Sequence, residues 1–97
     1  NDAKYARIHK RILEKGAIKE KESVIYETLM GIKKITDEKV LNNTRLLQNE
    51  GYFTNMLMTM VIESFEKVKI DLDIDSAKFI NSCIAKEYMN EYQGVFV

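Results

Sequence analysis

Apolar Tyr5, Ile8, Ile12 and Leu13 recur at helical spacing, and Gly16 stands where a left-handed C-terminal cap would sit, so the pattern predicts a first helix over residues 2–15. Ala17 to Lys19 reads as a link with room for one brief strand. Ser23 ahead of Val24, Ile25, Leu29 and Met30 predicts a short second helix that Gly31 ends. Thr36 is a good N-cap residue, Asp37 and Glu38 place negative charge in a first turn, and Ile35 can staple onto Val40. A third helix is therefore expected from Asp37 until Gly51 closes it. Val40, Thr44 and Leu47 fall on one of its faces, with Lys39, Asn42, Arg45 and Asn49 broadly opposite; Leu41 and Leu46 lie off the stripe and need other neighbours.

After Gly51 the period changes. Val68, Ile70, Leu72 and Ile74 alternate with Lys69, Asp71 and Asp73, the two-residue repeat of a half-buried strand. Met56, Met58, Met60 and Ile62 alternate as well, which suggests a hairpin turning around Ser64, Phe65 and Glu66. The same stretch also fits a helix, with Phe53, Leu57, Met60, Val61, Phe65 and Val68 on one face. No Asn-Gly or Asp-Gly turn decides between the two. Asp75 and Ser76 offer an N-cap for a last helix through Phe79, Ile80, Cys83, Ile84, Tyr88 and Met89 to about Tyr92, with Gly94 as its stop. The tail Val95-Phe96-Val97 is apolar and is expected to pack on the core or on a second subunit.

Ninety-seven residues suffice for one domain, and 45% hydrophobic with 31% charged residues suits a globule over a disordered chain. Fifteen basic and fifteen acidic residues cancel, which at first sight argues against nucleic acid. The cancellation is uneven along the chain. Residues 1–45 hold eleven basic against seven acidic side chains and the remainder four against eight, a surplus of four either way. Lys4, Arg7, Arg11 and Lys15 form a basic stripe on the outer face of the first helix, with Lys10 beside it. Such a stripe is a possible phosphate contact.

One Cys and one His exclude an internal disulfide and a zinc site built from paired Cys and His ligands. His9 and Cys83 offer no nucleophile-and-base pair, so no enzyme, cofactor or small-molecule substrate is expected. Asp71, Asp73 and Asp75 imitate the opening of a calcium loop, but Ser76 and Ser82 stand where Gly and a bidentate Glu are needed. Asn42-Asn43-Thr44 matches a glycosylation sequon, which has no meaning without secretion. No signal segment opens the sequence and no apolar run spans a bilayer, so the expected compartment is the cytoplasm, without membrane contact.

The run Leu29-Met30-Gly31-Ile32-Lys33-Lys34-Ile35-Thr36 resembles the second helix, turn and third-helix entry of winged helix-turn-helix proteins. Val40, Thr44, Leu47, Gly51, Tyr52 and Phe53 resemble the end of that family's recognition helix. The resemblance covers residues 22–74. It implies an α+β fold of three helices, a two-stranded wing and a C-terminal helix, in a single domain of residues 1–97. Small winged helices with this Lys-, Ile- and Asn-rich vocabulary look like proteins of low-GC bacteria, their plasmids and phages, including relaxosome accessory proteins of clostridial conjugative plasmids, partition adaptors and transcriptional regulators.

The implied activity is sequence-specific binding of double-stranded DNA as a homodimer, with residues 76–97 in the dimer contact, as an accessory factor of conjugation or as a transcriptional regulator. Lys39, Asn42, Asn43 and Arg45 would read bases, since Arg pairs with guanine and Asn with adenine through two hydrogen bonds each. Lys33, Lys34, Thr36, Arg7 and Arg11 would contact phosphates, and Lys67 and Lys69 are the only cations of a wing that departs from the family's usual basic or Gly-rich tip. If residues 53–68 are one helix, the fold becomes an all-α four-helix bundle. The function then shifts toward a helical immunity or inhibitor protein that does not bind DNA.

Overall fold

Phe53, Leu57, Val61 and Phe65, each four residues beyond the last, are all fully buried along one side of a single helix. In the computed structural model, which describes residues 3–92, the chain forms α1 (Ala3–Lys15), α2 (Glu22–Asn42), α3 (Glu50–Lys67) and α4 (Ile74–Glu91). A 3₁₀ turn at Thr44–Gln48 joins α2 to α3. No strand occurs among the described residues. The expected α+β winged helix is thereby overturned, and the architecture is the all-α four-helix bundle.

The physical reason lies in the backbone. A two-residue repeat makes a strand only where a neighbour completes the hydrogen-bond ladder, and Met56–Ile62, the intended neighbour, is inside α3. Residues 68–73 instead end one helix and begin the next. Lys69 takes a left-handed conformation (φ 65°), its N–H donates to the Glu66 carbonyl at 2.9 Å, and the Ile70 N–H donates to the Phe65 carbonyl at 2.9 Å. That pair of bonds is a Schellman cap with Lys where Gly is usual, and its two apolar members, Phe65 and Ile70, are both buried. Asp73 then caps α4 by accepting the Ser76 N–H at 2.7 Å, a role expected of Asp75 or Ser76.

The expected second and third helices are one. Ile25, Leu29, Ile32, Thr36 and Val40 all face the core of the continuous α2, so burial on both sides of Gly31 and Thr36 outweighs their stop and start signals. Thr36 is not an N-cap: it is fully buried, its hydroxyl 3.4 Å from the Met60 sulfur. The helix ends at Asn42, short of Gly51, and the 3₁₀ turn then buries Leu46 and Leu47. Asn49 caps α3 by accepting the Tyr52 N–H at 3.0 Å, which leaves Gly51 in the first turn. Leu41 finds no neighbour and stays 77% exposed.

In α1 the expected cap is present. Gly16 has φ 70°, and the Gly16 and Ala17 N–H groups donate to Leu13 and Ile12 carbonyls. Short links make each helix antiparallel to the next: Lys4, early in α1, meets Asp37, late in α2, and Glu91, at the end of α4. Each helix packs on its two neighbours in the order α1, α2, α3, α4 and back to α1. The Ser76 hydroxyl ties α4 to the first link through the Ala17 carbonyl at 3.0 Å, and Asn81 ties α4 to α3 through the Thr54 carbonyl at 2.9 Å. Asp2, Gly94 and the tail Val95 to Val97 lie outside the described residues.

Candidate protein-interaction face

The basic stripe of α1 does not face solvent as a unit; it runs down α4. Lys4 is 4% exposed and binds Glu91 at 2.7 Å and Asp37 at 3.4 Å. One turn on, the Arg7 guanidinium grips the Glu87 carboxylate through contacts of 2.7 to 3.3 Å, which raises the Arg7 pKa. Arg11 and Lys15 then stand over the Phe79 ring, 6.0 and 5.6 Å from its centroid. Residues 4, 7, 11 and 15 thus pair in antiparallel order with residues 91, 87 and 79. Two of the four cations of the stripe, Lys4 and Arg7, are ion-paired with acidic side chains of the second half, and the other two stand over an aromatic ring.

At the Lys4 end lies a polar cluster that the sequence did not announce. Tyr88 donates to Asp37 at 2.5 Å, its hydroxyl is 3.0 Å from that of Tyr5, and the Lys4 ammonium sits 4.1 Å above its ring. Phe53 packs edge-on against the same ring. Burial pushes both phenols upward in pKa; for Tyr88 the neighbouring Tyr5 and Asp37 add to the effect. Burial also works to raise Asp37, but the bonds from Tyr88 and Lys33 and the charges of Lys4 and Lys33 prevail, holding it below the usual carboxylate range. Tyr5 and Tyr88 read as core aromatics in sequence, and only three-dimensional proximity joins them to Asp37. The cluster ties α1, α2 and α4 together around a buried hydroxyl pair, and a hollow of about 260 Å³ bordered by Lys4, Arg7, Glu87 and Glu91 lies at its Lys4 end.

The candidate DNA contacts are dispersed. Thr36 is buried and out of reach of a phosphate, Lys33 is paired with Asp37 at 3.0 Å, and Arg7 and Arg11 are engaged by α4. Lys34 is exposed on α2. Lys39, Asn42, Asn43 and Arg45 are exposed at the end of α2 and in the 3₁₀ turn, so they do not form the leading half of a recognition helix. Lys67 and Lys69 lie at the far end of α3, about 27 Å away along its axis, on a helix terminus in place of a wing.

A furrow between α2 and α3 was missed because its residues were divided between two expected helices and a hairpin. Ile35, Lys39, Tyr52, Met56, Met60 and Glu63 line a hollow of about 490 Å³. Val24, Glu27, Gly31, Ser64, Lys67 and Val68 line a second, of about 270 Å³, and Ile35 borders both. Ile35, Tyr52 and Val68 are 42%, 60% and 41% exposed. From Val24 to Lys39 the furrow runs about 22 Å along α2. A Cβ on Gly31 would meet nothing within 4 Å, so no packing inside the bundle requires glycine there.

Among the described residues no group of His, Cys, Asp and Glu could hold a metal ion, and no helix is long and apolar enough to cross a membrane. Cys83 is buried on α4, and burial raises its thiol pKa. Compared with family models, curated proteins and solved structures, the chain matches none of them.

Proposed function

We propose that this chain is a helical protein-interaction module, of the kind that serves as an immunity or inhibitor protein, which acts by docking another protein and not DNA. The observation that carries this reading is the uncovered furrow, with Ile35, Tyr52 and Val68 exposed beside Met56 and Met60. Contiguous apolar surface of this kind is costly unless something covers it. A furrow between two helices with flexible Met side chains on its floor suits an amphipathic helix laid along it. The described residues form no wing to carry Lys67 and Lys69, and two of the four cations of the stripe that would have faced phosphates, Lys4 and Arg7, are ion-paired with α4.

Two titrations of methyl-labelled Met protein test the reading. Duplex DNA at low salt should leave the methyl spectrum unchanged and give no gel shift. An amphipathic peptide of Leu and Lys should move Met56 and Met60 and leave Met89, on α4, in place. A salt-dependent DNA shift with no peptide response would overturn the proposal.

A further inference from the structure

We draw no further inference here: the strongest candidate, the furrow between α2 and α3 with Ile35, Tyr52 and Val68 exposed along it, belongs to the docking site already described, and nothing in the structure shows what covers it.

Discussion

Along the α1–α4 side, each cation of the first helix's stripe has a partner inside the chain: Lys4 at Glu91, Arg7 at Glu87, Arg11 and Lys15 at Phe79. Along the α2–α3 side, Glu27 and Lys39 stand at the rim of a furrow where Ile35, Tyr52 and Val68 are exposed. The first side is closed by the fold, and the second leaves apolar side chains open to solvent. The contrast shows why a basic half is a poor guide to a partner. Two of its cations, Lys4 and Arg7, are answered by acidic side chains of the other half of the same chain, while the α2–α3 side exposes apolar Ile35, Tyr52 and Val68.

If the α1–α4 side is structural, changes there should cost stability. Removing the Tyr88 ring leaves a cavity between Tyr5 and Phe53, so Tyr88→Ala should lose about 4 kcal/mol in urea unfolding. Tyr88→Phe keeps the ring but deprives Asp37 and Tyr5 of a buried hydroxyl, for a loss of about 1–2 kcal/mol. A Phe variant as stable as the original would show that packing alone holds this end.

Asp37→Asn should cost about 1 kcal/mol at neutral pH, a modest figure because the carboxylate is partly exposed and screened. Its pKa is lowered by folding, so its contribution is complete above the unfolded value near 4 and is lost as pH falls through the lower folded value. The gap between the two proteins should therefore close in acid titrations below about pH 4. A gap that is constant with pH would remove the carboxylate's charge from the account.

The smallest effect has the opposite sign and belongs to the furrow. Gly31→Ala should raise the chain's stability by somewhat under 1 kcal/mol, measured by the same urea unfolding, because the new methyl meets nothing. A loss instead would mean that glycine serves the bundle itself.

The outer helices were legible because local and tertiary signals agree there: Tyr5, Ile8 and Ile12 are buried at helical spacing ahead of the left-handed Gly16, and Ile80, Ile84 and Tyr88 repeat every four residues. The inner pair was not. Ile35-Thr36-Asp37-Glu38 carries the signals of a helix start, but Thr36 is buried on the same face as Ile32 and Val40, and burial prevailed over capping preference. The alternating apolar run from Val68 to Ile74 was real as a pattern, yet it holds a cap, a link and the entry to α4, while the period-four pattern from Phe53 to Phe65 supplied the bundle reading that the structure bears out. The Tyr88 cluster and the furrow assemble across helices 33 to 87 residues apart or across two expected elements, a distance that periodicity does not bridge.

The central claim, that this chain docks another protein through its α2–α3 side while its α1–α4 side is closed, is tested most directly by methyl spectra of Met-labelled protein titrated with the Leu and Lys peptide. The account predicts that Met56 and Met60, which line the furrow, shift together as peptide is added and that Met89 does not. Movement of Met89 with Met56 and Met60 fixed would contradict it.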